Sequence, residues 1–215
     1  MTMTWFKDCN PWRVLALILI ILVSMEFIGW QNTKQSYDAA QVEQIKRINE
    51  LYDKEETLNL ALEFGFDPMI VQITRQLSAN VMRNRKGDAV VWRFVRTERE
   101  LTYLLLSIVQ IESRGDYRAH NPSGASGLTQ LLFSTARQYD KDLQPSELFT
   151  IPKHLDIAVQ HFVDLLVKYR GNYTLAVLAW NRGSGAVDRS IALGQSPENN
   201  YARLLFTQAA MRNAQ

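Results

Sequence analysis

Glu112 closes an apolar helical stripe, and that stripe constrains the fold more than any other feature of the chain. It lies in residues 100–113, ELTYLLLSIVQIES. At about 100° per residue, Leu101, Leu104, Leu105, Ile108 and Glu112 share one helix face, so the carboxylate continues the apolar side instead of joining the solvated one. Thr97 and Glu100 have the Thr-x-x-Glu spacing of a capping box, which starts the helix about four turns before the glutamate. In the last turn, next to Gly115, a carboxyl group loses water and meets the negative end of the helix dipole. Both effects favour the protonated form, which is the state a general acid needs. The alternative is a core-edge glutamate satisfied by Arg114 or Arg118.

The other patterns are helical too. Asp67 caps and Pro68 opens a helix that the pattern carries to about Val81. A short helix is expected over residues 134–139. Pro152 opens a longer one with Leu155, Ala158, Val159, Phe162, Leu165, Leu166 and Tyr169 on one side, ended by Gly171. Residues 173–180 read as a compact, buried helix, and Ser196, Pro197 and Glu198 as cap, first-turn proline and early negative charge of a C-terminal helix through Ala210. No stretch alternates with period two. The class is all-α, with room for a very small β-hairpin near the glycine-punctuated loop of residues 121–130. The 215 residues, 47% hydrophobic and 21% charged, suffice for one core and an accessory helical piece. A net charge of +2 is too mild to argue for nucleic acid. The single cysteine, Cys9, excludes an intrachain disulfide and any cysteine-rich metal site. RNRKGD, residues 83–88, reads as a solvated basic turn.

Residues 14–25, VLALILIILVSM, are uncharged, and Glu26 interrupts the run before Phe27, Ile28 and Trp30 resume it. The run is short for a membrane span of roughly 20 residues and suits a signal-peptide core. No small-x-small cleavage site follows, however, and Trp12 and Trp30 bracket a stretch of spanning length. An uncleaved transmembrane or signal anchor is therefore preferred over a cleaved signal. Lys7 and Arg13 ahead of the run favour a cytoplasmic N-terminus and a body outside the cytoplasm. The expected organisation is an anchor over 1–30, a linker and accessory helices over 31–95, with a polar linker at residues 31–40, and a catalytic domain over 96–215.

Two further motifs carry chemistry. Asn121, Pro122, Ser123 and Gly124 form a turn, and Gly124 and Gly127 let backbone approach a bulky ligand. AWNRGSGAV, residues 179–187, ends the buried helix in an aromatic face, an amide and a flexible exit. Trp180 and Asn181 there suit sugar binding by stacking and hydrogen bonding, as well as a core tryptophan with an asparagine cap.

Glu112-Ser113, then GASGLTQ (residues 124–130), then AWNRG (residues 179–183), in this order and spacing, resemble the soluble-lytic-transglycosylase (SLT) type catalytic domain of the lysozyme-like superfamily. PENNY, residues 197–201, looks like the family's weaker fourth element, whose tyrosine approaches the cleft. The resemblance covers about residues 67–203. It implies cleavage of the β-1,4 bond between N-acetylmuramic acid and N-acetylglucosamine in peptidoglycan, with Glu112 as single acid/base and a 1,6-anhydro product. Ser113, Asn121, Gly127, Leu128, Gln130, Trp180, Asn181 and Tyr201 would contact substrate. It implies no cofactor and no metal. Asp116 is the nearest second acid and reads as structural, and His154 and His161 as surface or packing residues.

Three departures bear on this. Thr129 stands where the family commonly has methionine. Asn121 stands where a serine typically donates to the glutamate, and its amide is expected to replace that donor. Trp180 replaces the family tyrosine and lacks its hydroxyl, while Arg182 adds a charge suited to a substrate carboxylate. The rivals are a water-using muramidase and a non-catalytic, membrane-anchored peptidoglycan-binding or assembly protein. The expected location is the bacterial inner membrane, with the catalytic domain facing the periplasm or wall and a cell-envelope assembly as a further partner.

Overall fold

A computed structural model of the chain describes residues 11–84, 97–197 and 199–213. The chain forms two compact units, Met1–Glu55 and Glu56–Gln215. The first consists of most of helix α1 (Pro11–Phe64). Residues 31–40, expected as a linker, are helical. The reason is local: between Gln31 and Phe64 there is neither glycine nor proline, so nothing interrupts propagation until Gly65 turns the chain at φ +68°. Leu19, Ile20, Leu22, Val23, Met25, Phe27 and Ile28 are exposed along it. Among the described residues no helix is long and apolar enough to cross a membrane. Lys7, Cys9 and residues 85–88 of the basic turn lie outside the described residues, as do the side chains of Trp12, Arg13, Glu26 and Trp30.

Among its described residues the second unit is helical apart from one hairpin and the connecting turns. After the end of α1 come α2 (Pro68–Asn84) and α3 (Glu98–Glu112), then strands β1 (Ala125–Ser126) and β2 (Leu131–Leu132). There follow α4 (Phe133–Ala136), a 3₁₀ turn (Pro145–Phe149), α5 (Ile151–Lys168), α6 (Tyr173–Arg182), α7 (Ser184–Ala192) and α8 (Asn200–Asn213). The expected caps form: Asp67 Oδ1 accepts from Met69 N–H at 2.8 Å, and Thr97 Oγ1 from Glu100 N–H at 3.1 Å. The strands pair antiparallel, Ala125 with Leu132 and Ser126 with Leu131.

Helix α3 is the axis of the unit. Every residue from Leu101 to Val109 is buried, Thr102 and Ser107 included, so the helix is enclosed on all sides, as its mostly apolar sequence allows. One side packs with Phe162, Val163 and Leu166 of α5, Val177 and Leu178 of α6, and Ala202 and Leu205 of α8. Tyr103, Leu106 and Val109 pack instead with Phe64, Phe66, Ile70 and Val71, and with Leu128 and Leu155.

Two expectations are corrected. The C-terminal helix starts at Asn200, because Asn199 Oδ1, not Ser196, caps it, accepting from Tyr201 N–H at 3.1 Å and Ala202 N–H at 3.4 Å. Pro197 lies in the preceding loop, where its carbonyl accepts from Arg182 Nη1 at 2.8 Å. The exit after Trp180 is a second ordered helix, α7, turned by Gly183 at φ +79° and sealed by the buried Val187.

Of the two expectations for His154, packing holds and surface does not, and the packed ring is also hydrogen-bonded. It is buried, with Nδ1 2.9 Å from Leu148 O and Nε2 accepting from Thr129 N–H at 3.0 Å. Nδ1 therefore carries the proton. Burial holds the imidazole down at about 4. Gly127 crosses directly over it at φ +76°, where a Cβ would lie 2.5 Å from both His154 Nδ1 and Leu148 O. Gly127→Ala is expected to cost about 2–4 kcal/mol in urea unfolding. Because the unfolded imidazole binds its proton at a higher pH than the folded one, His154 stabilises the fold fully above about pH 6.5. That contribution, up to about 3 kcal/mol, is lost as pH falls toward 4. Urea midpoints across this window should therefore fall more steeply in the parent than in His154→Gln.

Candidate active site

Glu112 is the last residue of α3. Ser113 secures that end: its hydroxyl donates to Val109 O at 3.2 Å and accepts from Gly115 N–H at 3.2 Å. Gly115, at φ +85°, runs against the Phe66 ring, where no Cβ fits without a shift. Ser113 thus acts on the helix terminus.

The carboxyl group is half-buried, and loss of water raises its affinity for a proton, as its position on the stripe implied. A second effect opposes this. The Tyr201 hydroxyl donates to Glu112 Oε1 at 2.6 Å and favours the carboxylate. The phenol is itself driven well above its ordinary value, first by burial and then by the carboxylate's charge. Neither Arg114 nor Arg118 forms an ion pair with Glu112 among the described residues; Arg118 lies 5.2 Å over the Tyr117 ring. Among the described residues the donor to Glu112 is Tyr201, not the expected Asn121 amide. Asn121 Oδ1 accepts from Ser123 N–H at 3.0 Å, Ser123 Oγ–H at 2.6 Å and Ala125 N–H at 3.0 Å, which folds the loop on itself.

Glu112 opens into a cleft of about 480 Å³. One wall is the hairpin and α4, with Asn121, Gln130, Leu132 and Thr135; the other is the end of α6, with Trp180, Asn181 and Arg182. Gln130 has a left-handed backbone, φ +51°, a conformation that needs support in a residue with a Cβ. Its Nε2 supplies this by donating to Ala119 O at 3.1 Å and Gly127 O at 3.0 Å. Gly127 and Leu128 are buried behind the lining and shape it from beneath. Trp180 is half-buried, 6.0 Å from the Phe162 ring and 5.1 Å from that of His161. Asn181 Oδ1 accepts from Asn199 Nδ2–H at 3.0 Å, and Arg182 spends one nitrogen on Pro197 O. Glu112 is the one carboxylate among the described lining residues. Among the described residues no cluster of three or more His, Cys, Asp or Glu side chains could hold a metal ion.

His161, also in the lining, was missed by the sequence reading, as were Gln138 and Ser184. The available signal was its place beside Phe162 at the border of the α5 stripe.

Fold and site together define a mainly helical domain whose cleft carries a single half-buried carboxyl group among its described lining residues. The chain matches the transglycosylase SLT domain over residues 95–202, half of its length, and belongs to that family. Among solved structures it is similar to the lytic transglycosylase Slt of Pseudomonas aeruginosa, an inactive mutant, at 19% identity and a TM-score of 0.47. The similarity covers 75% of this chain and 30% of that one, so the chain spans under a third of that protein's length.

Tyr201→Phe removes the one donor among the described residues that favours the ionised form and leaves the burial. The titration of Glu112, followed by carboxyl carbon NMR, should move upward, so that the protonated acid persists to higher pH. A downward or absent shift would show that Tyr201 does not act on the carboxylate.

Proposed function

We propose that the cleft is that of a peptidoglycan lytic transglycosylase, cutting the β-1,4 bond between N-acetylmuramic acid and N-acetylglucosamine with Glu112 as its single acid/base. The observation that carries this is a half-buried carboxyl group raised by burial and alone among the described lining residues. Protonated Glu112 gives its proton to the glycosidic oxygen as the bond to the muramoyl C1 breaks. The carboxylate then takes the proton of the muramoyl 6-hydroxyl as that oxygen closes on C1. No water is consumed, and Glu112 returns to its starting state. Hydrolysis through a bound water calls for a second carboxylate as base or nucleophile, and an internal hydroxyl removes that need. Trp180 offers a face for a sugar ring.

We also propose that the apolar N-terminal part of α1 holds the chain at the bacterial inner membrane with the cleft on the wall side. The row of exposed apolar side chains from Leu19 to Ile28 supports this, and recovery of the chain in the soluble fraction after cell breakage would contradict it.

The full-length chain should release muropeptides with 1,6-anhydro ends from purified sacculi. Glu112→Gln should slow release by about 10²–10⁴-fold. Activity should fall as pH rises through the elevated value of Glu112, since the first step needs the acid. Reducing ends in the product would instead establish a muramidase, and unaltered release by Glu112→Gln would remove Glu112 from the mechanism.

A further inference from the structure

The wall of the cleft opposite the hairpin holds an arrangement that the single-glutamate chemistry does not use. His161 of α5 lines the cleft and lies against Trp180, ring centroids 5.1 Å apart. Its Nδ1 is 3.0 Å from the Tyr139 hydroxyl oxygen, and that hydroxyl donates to Asp164 Oδ2 at 3.1 Å. A phenol has one proton to give. With that proton on Asp164, the bond to the imidazole requires His161 Nδ1–H to donate to the tyrosine oxygen. The ring of Tyr139 meets His161 edge-on at 5.7 Å, which holds the plane of the imidazole. Burial disfavours the imidazolium. A neutral ring with its proton on Nδ1 has a lone pair on Nε2, and no hydrogen bond among the described residues engages that atom.

We propose that His161 is a substrate-specificity residue, presenting Nε2 as a fixed hydrogen-bond acceptor to the sugar seated on Trp180. The inference rests on reading the cleft as a glycan site and says what one part of it recognises. The indole has a face and a single N–H, and it cannot accept. A sugar lying on it with an acetamido N–H or a hydroxyl directed at the wall needs an acceptor there, and His161 supplies one beside the ring. Tyr139 and Asp164 are positioning residues, since they act on the ligand only by fixing which imidazole nitrogen is protonated. This relay resembles the way a carboxylate orients an imidazole in other sites, with a phenol interposed.

The test uses the full chain as Glu112→Gln, labelled with ¹⁵N-histidine, and an N-acetylglucosamine oligomer as probe. Free protein should show the Nδ1–H tautomer at His161, and adding oligomer should displace the Nε2 resonance. His161→Phe, which keeps a ring against Trp180, should bind the oligomer about tenfold more weakly. His161→Gln, whose Oε1 can reach the place of Nε2, should recover most of that loss. With Glu112 intact, His161→Phe should raise KM on sacculi about tenfold while kcat stays within about twofold. An Nε2–H tautomer, an Nε2 resonance unmoved by the oligomer, or a His161→Phe chain that binds like its parent overturns the proposal. Failure of the two readings can be told apart. A chain that cuts sacculi with Nε2 unmoved refutes only this inference, and one that binds the oligomer through His161 but leaves sacculi uncut refutes only the cleavage reading.

Discussion

The hydrogen bond from Tyr201 to Glu112, 2.6 Å long, is the interaction through which the rest of the unit reaches the carboxyl group in the cleft. Burial alone pushes Glu112 toward the acid, and the phenol pulls it back toward the carboxylate. The balance therefore depends on where α8 sits. Ala202 and Leu205 seat that helix in the core that contains Leu105 and Ile108 of α3, so the same packing that buries α3 sets the position of the phenol. Asn199 starts the helix and reaches across to Asn181 at the rim of the cleft. One side chain thus joins the helix that holds Tyr201 to the aromatic wall.

The opposite wall is held by a different means. Gly127 passes so close to His154 and Leu148 that no Cβ fits, and His154 in turn accepts from the backbone of Thr129. The Thr129 hydroxyl lies 2.8 Å from the same nitrogen. Where an apolar side chain would fill space beneath the loop, this chain places a buried polar pair, which fixes the loop by direction as well as by volume. Gln130 can then be held in a left-handed conformation facing the cleft, because its own amide is tied back to Ala119 and Gly127. The wall is tied to itself and to His154, and the backbone strain at Gln130 is offset by its side-chain bonds to Ala119 and Gly127.

Legibility in the sequence followed the range of the interactions. Helix α3, its Thr97 cap and the place of Glu112 at its end rest on contacts within one turn or on a periodicity, and both can be read from residue order. The turn at Asn121 was legible for the same reason, as was Pro68 behind Asp67. The order of Glu112, the glycine loop and Trp180-Asn181 pointed to the family, whose match covers residues 95–202. What Glu112 bonds to was harder to read. Tyr201 is 89 positions away, and only the resemblance suggests it, while Asn121, closer in sequence, turns its Oδ1 to its own loop. His154 and His161 share a helix and look alike in sequence, yet one is sealed under Gly127 and the other opens on the cleft. Their difference lies in which neighbours α5 meets, and a single-helix pattern carries no record of that. The continuity of α1 through residues 31–40 is hidden by their polarity, which suits a linker, although polar residues without glycine or proline propagate a helix well.

A carboxyl group that serves first as acid and then as base gains nothing from an extreme pKa. Burial without a donor would hold the proton too firmly to leave a useful carboxylate after the first step, and a fully solvated glutamate would be ionised before the reaction began. The arrangement around Glu112 lies between these limits. Tyr201 engages Oε1, which can accept from the phenol whether or not the group is protonated, and no described residue bonds Oε2. The proton can therefore leave and return on Oε2 while the bond on Oε1 persists, so the carboxyl group is held in one orientation through both halves of the proposed cycle. Little reorganisation is then required between protonating a leaving oxygen and receiving a proton from an incoming one, which is the economy that preorganised sites achieve. The single glutamate and the half-buried phenol are on this view one device, with Oε1 for orientation and Oε2 for proton transfer.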